Sequence, residues 1–544
     1  MPTRRQFLVR TGAAAAAVIA PQEALAQQEK KKRRRRPRRP ANMLRGGRFE
    51  QGVLSGDPGP NGITLLTVVD GTGDTGRVRL EVARDPDFRR VVARRDILTT
   101  PDVGHSVKAR VTGLKPHKRY WYRFETRDRH SPVGRFQTAL PPDSRATVRF
   151  GFFSCASYTA GYYNAYELLA REDLDFVLCL GDYIYAETYS DVASGRAVRD
   201  DTIGKPNPHY DFILREAGTL PEYRAKYRLY RSDPALRRLH QTHPVIAIWD
   251  DHEVQNNYAN GAPDGGLTLR SDFSRARREA SYRAFFESMP LFPRARTRIY
   301  RALRHGRTVE LMMLDSRQYR DDQPCRDRIA FPCGSWDRPR TLLGGRQRSF
   351  VERRLSASDA AWKVVGGQSL MMPNRVHDGQ FTRFDSWQGY PQEREHLLQH
   401  ILQTGIEDVV FVSGDAHTII AGDVCAGMGA GPAVAPEFSA GSVTSATPGE
   451  INYRMPGGQL VPGNLVNPAT PPEVLAHYRA LNPWFEQLDL DHHGYGVVTA
   501  SQSAFHVTLK RLATVRERNL GTLPTTGFHW RVNRGQRSIK GTGV

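Results

Sequence analysis

Five cysteines among 544 residues are too few for a small disulfide-stapled scaffold, and 39% hydrophobic with 25% charged residues excludes a wholly disordered chain. No apolar run reaches the roughly 18 residues needed to span a bilayer, and no internal repeat recurs. Acidic residues are in the minority, 57 against 78 Lys and Arg, for a net charge of +21. That excess is uneven. Residues 1–48 carry 14 Lys and Arg against Glu23 and Glu29, and the remaining 496 residues carry 64 against 55. A nucleic-acid-binding reading from bulk charge therefore loses about half its support, and no specific nucleic-acid partner is expected. Single cores stop growing at roughly 250–300 residues, so two or more domains are expected.

The start reads as an address. TRRQFLVR, the small apolar stretch Thr11–Ala20 and then Ala24-Leu25-Ala26 follow the order of an export signal. Arg4 and Arg5 before Phe7 and Leu8 point to the twin-arginine translocase. Residues 1–26 are the expected signal, and the mature chain is expected in the periplasm, outside the cell or on the cell wall. Residues 27–48 are expected to be a basic disordered linker. Its block at 30–39 holds nine Lys and Arg broken only by Pro37, and such a block is either a solvated spacer or an arm that adheres to anionic wall polymer or lipid.

From Phe49 to about residue 142, short alternating runs such as ITLLTVV, VRLEVAR and YWYRFET lie between Gly, Pro and Asp turns. This predicts an immunoglobulin- or fibronectin-III-like β-sandwich, with Tyr120 or Tyr122 at a tyrosine corner. From 146 to about 515, apolar runs of strand length alternate with amphipathic segments. This predicts a large α/β domain with its chemistry at the strand ends. The tail, 516–544, is rich in Gly, Thr and Arg and is expected to be irregular.

The strand-end residues are Cys155 after RFGFFS, Asp182 after FVLCLG, Asp250 and Asp251 after VIAIW, and Asp415 and His417 after VVFVSG. A carboxylate beside an apolar strand costs several kcal/mol unless partnered. One such Asp could cap a helix, but the set together asks for cations. Cys325 and Cys333 flank a short loop and suit a local disulfide. Cys179 sits inside an apolar strand as a buried thiol, and Cys425 has no assigned part.

Motifs spread over roughly residues 49–500 resemble the calcineurin-like metallophosphoesterases, and more closely the PhoD family of alkaline phosphatases and phosphodiesterases. They are GVLSGDP at 52–58, VLCLGDYIY at 177–185, WDDHEVQNNYAN at 249–260, LDSRQYRDDQ at 314–323, SWQGYPQERE at 386–395 and SGDAH at 413–417. The resemblance implies a metallophosphoesterase sandwich behind the small β domain, with Fe3+ held partly by a thiolate and a tyrosinate and Ca2+ alongside in a two- or three-metal site. Carried to matching positions, it implies metal ligands at Cys155, Asp182, Asp251, Asn256, Asp415 and His417, with Asp182 bridging. Tyr230 in YRSD is the first choice for the tyrosinate and Tyr185 its rival. Thiolate and phenolate suit trivalent iron, while carboxylates and an amide suit Ca2+.

The expected reaction is hydrolysis of phosphate mono- or diesters by attack of a metal-activated hydroxide, with Asp182, His252 and Arg317 as catalytic residues. No activated Ser motif stands beside the ligands, so no phosphoenzyme is expected. His252 either protonates the leaving oxygen or orients Asp251. Arg317 steadies a ligand loop or the phosphate, or pairs with Asp315 or Asp321. The family usually has Arg before its last GY, where this chain has His493 in DHHGYG. Two alternatives stand beside this reading: a phospholipase D-like enzyme acting on anionic polymer or lipid, and a non-catalytic protein that binds anionic surfaces.

Overall fold

The structure, a computed structural model, describes residues 40, 42–189, 197–206, 213–260, 274–293, 295, 297–327, 331–464, 468–518 and 526–543. The expected signal and the basic block at 30–39 lie outside the described residues.

Alternation between residues 53 and 137 produces two small sheets. Val53–Gly59, Gly62–Val68 and Ser106–Thr112 form one, and Val91–Thr99, Gly76–Ala83, Arg119–Glu125 and Gly134–Gln137 form the other in that spatial order. Every second residue of Arg119–Glu125 points inward, so Tyr120, Tyr122 and Phe124 join Ile63, Leu80 and Val107 in a separate core. Tyr120 Oη accepts the backbone N–H of Lys115 at 2.9 Å. The start of this module lies earlier than expected. Met43 pairs with Arg77 and Arg48 with Asp70, and Met43 and Leu44 are buried. Residues 43–48 therefore belong to the sandwich and not to a linker, because their apolar side chains find a core.

The larger part is built on two facing sheets. One runs Val245–Ala247, Phe176–Cys179, Val148–Phe153, Gly494–Ala500, Ala504–Arg511 and Thr526–Asn533. The other runs Arg301–His305, Val309–Met313, Trp362–Gly367, Val409–Ser413, Ala433–Ala440, Ile419–Cys425 and Phe485–Asp489. The first three strands of the former pair in parallel, as do four consecutive strands of the latter. These strands are buried on both faces, as parallel strands covered on both sides must be. Between the sheets, Phe505 packs on Trp362 and Phe438 on Trp530. Helices Gly345–Ala357 and Pro391–Gln403 cover the outer face of the seven-stranded sheet through Val351, Leu355, Leu397 and Ile401. Helix starts follow local rules: Pro234 stands at a first helical position, and the Asp233 carboxylate accepts the N–H of Ala235 at 2.8 Å.

The tail corrects an expectation. Thr526–Asn533 pairs with Ala504–Arg511 along its whole length, and Trp530 and Val532 are buried. Its Gly- and Arg-rich composition masks a period-two strand whose partner is already in the sheet. Cys325 and Cys333 form the expected disulfide, and Cys179 is a buried free thiol. Among the described residues, no helix is long and apolar enough to cross a membrane.

Candidate active site

The parallel strands of both sheets end toward one region. Cys155 follows Val148–Phe153, Asp182 follows Phe176–Cys179, Asp250 and Asp251 follow Val245–Ala247, and Asp415 and His417 follow Val409–Ser413. Cys155, Asp182, Asp415 and His417 hold φ of 60°, 53°, 61° and 50°. Left-handed backbone costs a non-glycine residue on the order of 1–3 kcal/mol and persists where the surroundings over-determine it, commonly at functional sites. The loops are tied by the N–H of Ala156 on Asp182 O at 3.0 Å and that of Val443 on Ser154 O at 3.0 Å. Gly181 is required for this approach, since a Cβ there would stand 2.4 Å from Asp250 Cβ.

Three overlapping donor groups result. Ligand atoms of Cys155, Asp182 and His417 lie within 4.8 Å of one another, as do those of Asp182, Asp251 and His252, and those of Asp250, Asp251 and Asp415. Asp182 and Asp251 each belong to two groups. The His417 ring is oriented by its Nδ1, which lies 2.9 Å from Ala446 O. With the proton on that nitrogen, Nε2 keeps its lone pair for the cluster.

The two candidate tyrosines separate clearly. Tyr185 Oη donates to Asp182 Oδ2 at 3.2 Å, lies 3.3 Å from His417 Nε2 and accepts the Ser445 hydroxyl at 2.6 Å. Tyr230 Oη instead accepts the backbone N–H groups of Tyr158 at 3.2 Å and Tyr185 at 3.0 Å. The Tyr185 hydroxyl thus faces Asp182 and His417, whereas the Tyr230 hydroxyl faces the main chain of Tyr158 and Tyr185.

Arg317 is fully buried and pairs with neither Asp315 nor Asp321 through its guanidinium. Its Nε donates to Asp250 Oδ1, and its Nη atoms lie 3.1 Å from Asp251, 2.6 Å from Asp385 and 3.9 Å from Asp415. It does not line the cavity described below. The expectation that it acts on phosphate is replaced by one of holding four carboxylates. His252 is buried, with Nδ1 2.8 Å from Glu187 Oε2, its ring stacked on Tyr185 at 4.0 Å and its Nε2 3.8 Å from Asp251.

The electrostatics match an unfilled demand for positive charge. Burial, and then the Asp182 carboxylate, push the Cys155 thiol well above its ordinary pKa. Burial likewise raises Asp182 and Asp250, and raises Asp415 to about 7. Burial opposes the charged imidazole of His252, but Asp251, Asp182 and Glu187 outweigh it and lift its pKa well above the ordinary histidine value. Asp250 Oδ2 is buried and accepts no hydrogen bond, and Asp251 Oδ1 has the Arg317 guanidinium at 3.1 Å as its partner. Anionic atoms left in this state suit cations, and the sulfur, phenol and imidazole at one end differ from the carboxylates at the other.

These residues open on a cavity of about 870 Å³, lined by Tyr185, Asp251, His252, Asn256, Asp415 and His417. Leu370, Val376 and Leu488 give it apolar walls, and Arg383 and Arg454 give it cations. His493 does not reach it. This side chain is buried between Ser442 Oγ, at 3.0 Å, and Glu450 Oε1, at 3.3 Å.

Sequence reasoning missed the supporting acids. Glu253 accepts the N–H groups of Asp250 at 2.8 Å, Asp182 at 3.1 Å and Tyr183 at 2.7 Å, so one carboxylate sets two ligand loops. Glu187 holds His252 and accepts the N–H of Asn256 at 2.7 Å. The only signal for Glu253 was its place inside WDDHE.

Residues 150–509 match the family described as PhoD-like phosphatase, and residues 35–140 match its N-terminal domain. The chain is 36% identical over 386 residues to alkaline phosphatase D of Bacillus subtilis (strain 168), covering 68% of this chain and 64% of that relative's length. A solved structure described as the structure of PhoD superposes with TM-score 0.80 at 29% identity, covering 92% of this chain and 93% of the other. A purple acid phosphatase from yellow lupin seeds shares the fold alone, with TM-score 0.50 at 12% identity over 90% of this chain and 75% of that one.

Proposed function

Since the chain belongs to the PhoD-like phosphatase family, we propose that it is a metal-dependent phosphoric ester hydrolase acting on phosphate mono- or diesters. The observation that carries this reading is the convergence of three donor groups that share Asp182 and Asp251 beside one cavity.

Cys155, Asp182, Tyr185 and His417 would hold an iron ion, whose Fe3+ state thiolate and phenolate favour. Asp182, Asp250, Asp251, Asn256 and Asp415 would hold Ca2+ or another divalent ion in a two- or three-metal site. Bound there, the cations supply charge neutralisation for phosphoryl oxygens and activation of water at ordinary pH. The chain itself does the rest. Arg317 and Glu253 keep the carboxylates and their loops in place, and Ala446 fixes the His417 tautomer. Glu187 fixes the His252 ring through Nδ1 at 2.8 Å, which leaves Nε2 toward Asp251 and the cavity, where the ring can pass a proton to the leaving oxygen. Arg383 draws the anionic ester in.

Elemental analysis together with rates on a monoester and a diester of p-nitrophenol tests the proposal. Iron with a divalent metal and turnover of either ester support it, whereas a metal-free protein inert on both rejects it. A bulky diester, as in a phospholipase D-like or wall-polymer hydrolase, is the second reading, supported by the apolar Leu370, Val376 and Leu488 in the same cavity. A non-catalytic anion-binding role gives no reason for the donors to converge.

We also read residues 1–26 as a twin-arginine signal and place the mature chain in the periplasm or outside the cell. The Cys325–Cys333 disulfide supports an oxidising compartment. Adhesion of residues 30–39 to anionic polymer or lipid belongs to the same proposal. The three- and four-stranded sheets with the Tyr120 corner support an immunoglobulin- or fibronectin-III-like reading of the N-terminal module.

A further inference from the structure

Among the described residues, the loop closed by Cys325–Cys333 contributes no donor to the cluster, yet it reaches the cluster through a buried carboxylate. Asp327 is 1% exposed and holds φ at 48°. Through Oδ2 it accepts Asn257 Nδ2–H at 2.7 Å, and through Oδ1 the backbone N–H of Phe384 at 2.7 Å. Asn257, itself at φ 52°, donates its backbone N–H to Asp251 Oδ2 at 2.7 Å. Four residues before Asp327, Gln323 donates to Asn257 O at 2.7 Å and to Asp385 Oδ1 at 2.5 Å. Asp385 in turn lies 2.6 Å from Nη1 of both Arg317 and Arg320.

One short stretch therefore grips two separate pieces of the site. One piece carries Asp251, Asn256 and Asn257, and the other carries Arg383 and Asp385. The hydrogen bond from Asn257 occupies one oxygen of Asp251 and so sets the direction in which the other, 3.1 Å from Arg317 Nη2, faces. Asn257 is held in its left-handed conformation by three contacts: its N–H on Asp251, its C=O under Gln323 and its side chain on Asp327. Asp327 also holds a left-handed φ, two residues from a crosslinked cysteine, and a crosslink over eight residues narrows the conformations that this loop can reach.

We propose that Asp327 is a positioning residue for the divalent end of the cluster and that the Cys325–Cys333 disulfide keeps it in place, so that cation affinity depends on the disulfide being closed. This rests on reading the cluster as a metal centre.

The test is calorimetric titration of Ca2+ into chelator-stripped full-length chain, with thermal melting of the cation-free protein alongside. Partners that orient metal ligands typically contribute about 10- to 100-fold in affinity. Asp327→Ala is expected to weaken Ca2+ binding by that factor, and Asp327→Asn, which keeps one acceptor oxygen, by less. Reducing folded wild type with dithiothreitol is expected to weaken binding in the same direction, with recovery on reoxidation. The Cys325→Ser/Cys333→Ser variant should match the reduced protein, and these two arms stand if Asp327→Ala does not fold. A fall in melting temperature with Ca2+ affinity unchanged within twofold in every folded form would overturn the inference and leave the metal-centre reading intact. Failure of wild type to bind Ca2+ would remove both.

Discussion

Tyr230 Oη accepts the backbone N–H of Tyr185 at 3.0 Å, so two tyrosines that compete for one role in the sequence hold consecutive places in the structure. Tyr185 faces Asp182 and His417, and Tyr230 supports its main chain from behind. The account predicts a visible phenolate-to-iron absorption band in the purified chain. Tyr185→Phe should lose it. Tyr230→Phe should keep it while losing about 1–3 kcal/mol of stability, because two buried N–H groups lose their acceptor. Loss of the band in Tyr230→Phe and not in Tyr185→Phe would reverse the assignment.

Arg317 places its guanidinium against Asp250, Asp251, Asp385 and Asp415 together. Removing one partner of a buried ion pair costs about 3–5 kcal/mol. Arg317→Met should lose at least that much in urea unfolding of the cation-free chain. A loss under about 1 kcal/mol, the range of surface ion pairs, would show that the carboxylates do not depend on it.

Asp415 gives a pH signature. Its folded pKa is raised to about 7 by burial, while an unfolded Asp titrates near 3.9. Between those values the folded state holds a proton that the unfolded state has released, so this group makes the cation-free protein less stable as pH rises. The slope is at most about 1.4 kcal/mol per pH unit. Comparing urea unfolding of wild type and Asp415→Asn from pH 4 to 7 isolates it. Wild type should lose stability relative to the variant as pH rises, and parallel curves would refute the raised pKa.

Asp182 belongs to two donor groups, so Asp182→Asn should bring hydrolysis to background while the N-terminal sandwich, with its own core, stays folded by circular dichroism. Retained turnover would remove Asp182 from its bridging place.

The strand-end donors were legible because each directly follows an apolar run, and a buried strand followed by Asp, Cys or His has few other uses. The different partners of the Tyr185 and Tyr230 hydroxyls were not legible, since both are buried aromatic residues in the sequence's apolar pattern. Glu253, Glu187 and Asp327 were hidden for a related reason. A carboxylate that accepts main-chain N–H groups looks, in sequence, like any other charged residue. Arg317 was paired in expectation with acids near it in the chain, whereas its partners come from three other loops. The last strand escaped notice because its Gly and Arg residues mask an alternation that only the strand beside it makes useful.

The most direct test of the central claim is the rate of p-nitrophenol release from its phosphate monoester and diester by the full chain, measured before chelation, after chelation and after metals are restored. The account predicts turnover that falls to background when cations are removed and returns with them. A rate unchanged by thorough chelation would contradict it.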